Sequence, residues 1–147
     1  MHKPETAMRL VLDTNIIVDL LHFADPRTQP LKAAIAAGRV QCFSDSECLA
    51  EFERVLAYPQ FGLESAARDA LLAAYRRFVT LLEASAAENY LLPRCRDADD
   101  QKFLILAARC RADLLITRDN LLLRLAGHRQ RPCRIVTAEI AGPLLEL

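Results

Sequence analysis

Apolar positions along the chain change period at short, regular intervals. Residues 10–12, Leu-Val-Leu, form an unbroken apolar run that stops at Asp13, after which Ile16, Ile17, Leu20 and Leu21 recur at helical spacing. A run of that kind feeding a helix pattern predicts a parallel strand buried on both faces. Thr14 or Asn15 is placed to cap the new helix, since their side-chain oxygens accept its free N–H groups. Asp25-Pro26-Arg27 breaks the pattern, and Leu31 to Ala37 predicts a short alanine-rich helix closed by Gly38. Val40-Gln41-Cys42-Phe43 is a second strand. Ser44-Asp45-Ser46-Glu47 has capping-box spacing and opens a helix through Leu49, Phe52, Val55 and Leu56 to Tyr58-Pro59.

Glu64 to Phe78 is helical by pattern, with Leu71, Leu72, Tyr75 and Phe78 on one side, and a third strand falls near Phe78 to Leu82. Ala84 to Arg96 reads as a connection. Asp97 to Arg111 predicts a helix with Phe103, Leu104, Ala107 and Ala108 inward, followed by a fourth strand at Leu114–Thr117. Asn120 to Ala126 is a short helix and Arg134–Val136 a fifth strand. Strands alternating with helices predict an α/β fold: a mostly parallel sheet of about five short strands under six or seven helices. The 147 residues suit a single domain spanning 1–147.

Composition changes this picture in few places. At 52% hydrophobic the chain is no disordered segment, and no apolar run is long enough to span a bilayer. Met1 to Met8 lacks the apolar core of a signal peptide, which predicts a cytoplasmic protein without a membrane partner. Five cysteines without CxxC spacing argue against a disulfide framework and a thiolate zinc site, and three scattered histidines against a histidine-based one. Net charge is zero, so no global field draws the chain to nucleic acid. Sixteen of the 19 basic residues are arginine, which codon bias explains as readily as phosphate recognition.

The placement of acids is more informative. Asp13 ends the first strand, at the carboxyl edge where open α/β sheets bind ligands. Glu51 lies one to two turns into the helix after the second strand. Asp97, Asp99 and Asp100 open the helix before the fourth, and Asp119 follows that strand directly. Each has an ordinary role available: Glu51 pairing with Arg54 across a turn, the aspartates favouring helix N-termini. A parallel sheet nevertheless brings all four segments to one edge. Carboxylates roughly 5 Å apart at an effective dielectric of about 20 repel by about 3 kcal/mol per pair, so the cluster must take protons or a cation. That repulsion predicts that neutralising Asp13 leaves the metal-free chain as stable or more stable. Oxygen ligands alone select Mg²⁺ or Mn²⁺, the ions of phosphoryl chemistry.

Leu-Asp-Thr-Asn at 12–15, Cys-Leu-Ala-Glu-Phe-Glu-Arg-Val-Leu at 48–56, Arg-Asp-Ala-Asp-Asp-Gln-Lys-Phe-Leu at 96–104 and Leu-Ile-Thr-Arg-Asp at 115–119 together resemble a PIN domain. The match runs through essentially the whole chain in order. It is most similar to bacterial PIN proteins classed as toxins of toxin–antitoxin pairs. The resemblance implies a three-layer α/β/α sandwich and a Mg²⁺- or Mn²⁺-dependent endoribonuclease. Asp13, Glu51, Asp100 and Asp119 would be its four catalytic, metal-holding acids. Thr14, Asn15 and Thr117 would orient ligands or water. Asp97, Asp99 and Asp100 crowd the third position, where Asp100 best matches the core spacing of Phe103, Leu104 and Ala107. Family toxins commonly form homodimers, and many are silenced by an antitoxin whose segment enters the cleft.

Three rivals remain. A haloacid-dehalogenase-type phosphatase needs a second Asp where Asn15 stands, and a response-regulator receiver wants its Asp after a middle strand. The third is a PIN-fold RNA- or protein-binding module that no longer cleaves. A repelling acid cluster serves a pure binder poorly.

Overall fold

The computed structural model describes residues 7–85 and 87–146. The reading of residues 1–8 as free of a leader therefore lies largely outside the described residues. Five strands form one parallel sheet: β1 (Met8–Leu12), β2 (Val40–Ser44), β3 (Val79–Leu81), β4 (Leu114–Ile116) and β5 (Arg134–Val136). Their order is β3-β2-β1-β4-β5, so β1 is central and the winding reverses on either side of it. Seven α-helices are described: α1 (Thr14–Leu21), α2 (Gln29–Ala36), α3 (Ser46–Leu56), α4 (Ser65–Phe78), α5 (Gln101–Cys110), α6 (Asn120–Leu123) and α7 (Ala138–Leu145). None is long and apolar enough to cross a membrane.

Strand alternation divides the core between the two faces of the sheet. Leu10, Leu12, Cys42, Leu114 and Ile116 pack under α1–α4 and α7, against Ile16, Phe52, Leu56, Tyr75 and Ala141. Val11, Phe43, Leu115 and Ile135 point the other way, onto Phe103, Leu104, Ala107 and Leu122 of α5 and α6. Two apolar faces, each covered by helices, make the three-layer α/β/α sandwich. They also explain why the strands read as continuous apolar runs rather than alternating ones. All five cysteines are free, in keeping with their spacing.

Local chemistry sets the element ends, and in two places it departs from the sequence expectation. The N-cap of α1 is Asp13 itself, whose carboxylate accepts from Thr14 N, rather than Thr14 or Asn15. Asp45, not Ser44, caps α3, accepting from Cys48 N at 2.9 Å. In both, a carboxylate at a strand end takes the cap because it also complements the helix dipole. Gly38 closes α2 as expected. Its φ of +73° lets Gly38 N reach Ile35 O and Arg39 N reach Ala34 O, the paired bonds of a Schellman turn. The pattern over Asp97–Arg111 is not one helix: Ala98–Asp100 is a 3₁₀ turn, and the α-helix begins at Gln101. Helix α7, with Pro143 inside it, carries no pattern that the sequence reading used.

Candidate active site

β1 and β4 lie side by side, and the winding reverses between them. A crevice outside their carboxyl ends is the expected ligand site of such a sheet. The backbone carries the chain to that crevice in register: Asp13 N donates to Ile116 O at 3.0 Å, and Thr117 N to Val136 O at 2.9 Å. The two strand ends are then tied through side chains. Thr117 Oγ1 donates to Asp13 Oδ2 at 2.6 Å and accepts from Asp119 N at 2.9 Å. Asn15 Nδ2 also donates to Asp13 Oδ2, at 3.2 Å, and its Oδ1 accepts from Arg118 N at 3.4 Å. Thr117 and Asn15 thus orient the acids. Thr14 Oγ1 is buried without a hydrogen-bond partner and lines the same crevice.

The crevice is a cleft of about 300 Å³ whose walls include Asp13, Glu51, Asp100 and Asp119. Four segments distant in sequence therefore meet at one edge. Within the cleft the acids are not equivalent. Asp97, Asp100 and Asp119 each offer an oxygen within 4.8 Å of the others. Asp97 joins this group as the N-cap of the 3₁₀ turn, where Asp100 N closes onto Asp97 O and holds the two residues together. Asp99 is exposed. Glu51 does not pair with Arg54. Its partner is Lys102, an ion pair that no sequence spacing announced.

Burial gives the cluster its electrostatics. Asp13 is 3% exposed, and desolvation pushes its carboxyl up to about 6, against the hydrogen bonds from Thr117 and Thr14; the charges of Glu51 and Asp119 add to the rise. Asp100 is pushed up to about 8, first by burial, then by the hydrogen bond its protonated form gives Asp119, then by the charges of Asp13, Asp119 and Asp97. As a carboxylate it has no donor to Oδ2, a buried atom left orphaned. Three adjacent carboxylates and an unpartnered buried oxygen fit a hard divalent cation, which supplies the missing positive partner.

These values fix a pH dependence. Both folded-state values exceed the ordinary 3.8, so between about pH 4 and 8 the folded chain holds more protons than the unfolded one. Stability of the metal-free chain therefore falls as pH rises through that window. The Asp13 contribution levels off above about 6 and that of Asp100 above about 8. Thermal melts in EDTA from pH 5 to 8.5 should show a steadily falling melting temperature, and a rising one would contradict the assignment of these carboxyls.

Several functional contacts escaped the sequence. Asp19 of α1 is buried and accepts from two Arg118 nitrogens, Nε at 2.8 Å and Nη2 at 3.2 Å, which holds that guanidinium at the cleft. Arg109 bridges Asp45 and Glu88. Only Lys102 left a signal, as one of three lysines in an arginine-rich chain, immediately beside the crowded aspartates.

A family model described as PIN domain matches residues 9–121, most of the chain. No curated protein sequence matches it. Among solved structures, the crystal structure of VapBC2 from Rickettsia felis, bound to a DNA fragment from their promoter, contains a similar chain. The TM-score is 0.60 at 14% identity, covering 88% of this chain and 98% of that one. At that identity the likeness is one of fold.

Proposed function

This chain belongs to the PIN-domain family, and from that premise we propose that it is a Mg²⁺- or Mn²⁺-dependent endoribonuclease, the toxin of a toxin–antitoxin pair. The observation that carries the proposal is Asp100: a buried carboxylate with an orphaned oxygen, beside Asp97 and Asp119, in a cleft shared with Asp13 and Glu51. Asp13, Asp100 and Asp119 would hold the ion, with Asp97 at the cleft mouth. When bound, such an ion supplies charge neutralisation at the scissile phosphate and acidifies a water. The chain's own residues do the rest. Thr117 and Asn15 lock Asp13, Asp19 tethers Arg118 at the cleft, where its guanidinium would meet phosphate, and Glu51 would offer an acceptor to the attacking water. The whole 1–147 segment acts as one domain, in the cytoplasm, on single-stranded or structured RNA. An antitoxin is its partner, a reading supported by the fold's likeness to the VapBC2 chain, and the family resemblance extends the proposal to a homodimer.

Cleavage of a fluorescent single-stranded RNA should require Mg²⁺ or Mn²⁺ and stop completely in EDTA. Zn²⁺ should not replace them, because no soft ligand lines the cleft. Full cleavage in EDTA would sink the mechanism. A protein that binds Mn²⁺ and RNA yet leaves the RNA intact would be a binding module instead.

A further inference from the structure

Lys102 stands in the first turn of α5 and is only 11% exposed along its side chain. Its ammonium is held on three sides. It pairs with Oε1 of Glu51 on α3, donates to the carbonyl of Asp99, and lies 5.1 Å from the centroid of the Phe103 ring. It approaches Glu51 from behind. Lys102 lines a neighbouring groove with Glu47, Arg54 and Asp99, whereas Glu51 lines the acid cleft. The Glu51 carboxylate is thus a bridge, with a fixed cation on one side and the cleft on the other.

The choice of cation matters. At three other carboxylates arginine takes both oxygens, Arg109 on Glu88, Arg118 on Asp19 and Arg27 on Asp25, although Arg109 reaches Asp45 through Oδ2 alone. A planar guanidinium closes a carboxylate like a fork. An ammonium is a point charge: Lys102 meets Glu51 at Oε1, while Glu51 also lines the cleft. Lysine here offsets the charge of Glu51 without the fork that would close both of its oxygens. Among the described residues no cation pairs with Asp97, Asp100 or Asp119, which face one another, and Asp100 Oδ2 has no partner.

We infer that Lys102 is a positioning residue that limits the cleft to one divalent ion, held by Asp13, Asp100 and Asp119, and reserves the second oxygen of Glu51 as a hydrogen-bond acceptor. It rests on the metal reading of the cleft given above. Each charge in the cleft changes the potential that a second cation meets, and a neutralised Glu51 attracts none.

The test is calorimetric titration of Mn²⁺ into the full chain without RNA. Wild type should take one Mn²⁺ per chain. Lys102→Met frees the charge of Glu51 and should take two. The charge-neutral double variant Glu51→Gln with Lys102→Met should return to one, with affinity within about threefold of wild type. Lys102→Arg should keep one ion but lose at least about tenfold in kcat, since the fork would close both Glu51 oxygens. Two ions on wild type, or one on Lys102→Met, would overturn the inference. So would a loss of about tenfold or more in affinity for the double variant, which would make Glu51 a ligand of the single ion. Where Lys102→Met alone fails to fold, Lys102→Gln, which keeps a donor for the Asp99 carbonyl, makes the same count. No Mn²⁺ on wild type would sink the metal reading itself, and this inference with it. A normal single ion on wild type and Lys102→Met alike sinks only the role of Lys102.

Discussion

Asp100→Asn should leave a folded protein that has lost both its Mn²⁺ and its cleavage. Asp100 is the most buried of Asp97, Asp100 and Asp119, 7% exposed, and its Oδ2 meets no donor among the described residues. An amide there cannot supply the second anionic oxygen, so several kcal/mol of transition-state stabilisation go, on the order of a thousandfold in rate. Asp97→Asn should have an intermediate effect, because Asp97 reaches the cluster but its oxygen also accepts from Asp99 N to hold the 3₁₀ turn. Asp99→Asn should matter little, since its side chain is exposed. The three variants, assayed on one fluorescent RNA at saturating Mg²⁺, give the order. A dead Asp99→Asn beside a working Asp100→Asn would reverse the assignment.

Stability should move the opposite way. The metal-free Asp100→Asn variant should melt higher than wild type at pH 9, where Asp100 is ionised, by about 1–2 kcal/mol, because the amide removes a buried charge and can still donate to Asp119. Repulsion alone predicts the same gain for Asp13, but the structure shows why that expectation belongs to Asp100 instead. Asp13 accepts from Thr14 N at 2.7 Å, Thr117 Oγ1 at 2.6 Å and Asn15 Nδ2 at 3.2 Å, across two oxygens. An asparagine keeps one acceptor oxygen, and its lost bonds offset the relief of charge.

The contrast between these two aspartates marks where sequence reasoning runs out. Period and punctuation placed all five strands, most plainly β1 and β4 with their buried apolar runs, and Asp13 and Asp119 followed from strand ends, whereas Thr117 came from the family motif. Glu51 and Asp100 came from helix spacing joined to family motifs. The choice of Asp100 as third acid rests on helical register, whereas a 3₁₀ turn, not an α-helix, carries 98–100, with Asp97 as its N-cap. What spacing could not show is pairing across the fold. Asp19 with Arg118 and Arg109 with Asp45 and Glu88 join positions 99, 64 and 21 residues apart, and nothing local distinguishes those charges from solvated ones. Helix α7 was missed because Gly142 and Pro143 interrupt its apolar period.

The second large effect lies outside the cleft, at Arg109. Its guanidinium is 11% exposed and spends its donors on two acids: Nη1 to Asp45 Oδ2 at 2.5 Å, and Nε and Nη2 to the two oxygens of Glu88. Asp45 is 6% exposed and caps α3 through Cys48 N, so the same carboxylate begins the helix that carries Glu51. Arg109 therefore joins α5, the start of α3 and the connection before residue 97. Arg109→Met keeps the aliphatic stem and removes the charge, leaving Asp45 buried without its cation. Breaking one side of a buried pair costs about 3–5 kcal/mol, a large share of the about 5–15 kcal/mol that holds a domain together. Urea unfolding should show that loss, with Arg109→Lys intermediate because one ammonium cannot fork onto Glu88 and still reach Asp45. The damage should reach the site through α3. With the cap strained, Glu51 loses its register against Lys102, so the surviving folded fraction of Arg109→Met should also cleave more slowly per molecule. A loss below about 1 kcal/mol would show the triad to be a surface ion pair in its energetics, whatever its burial.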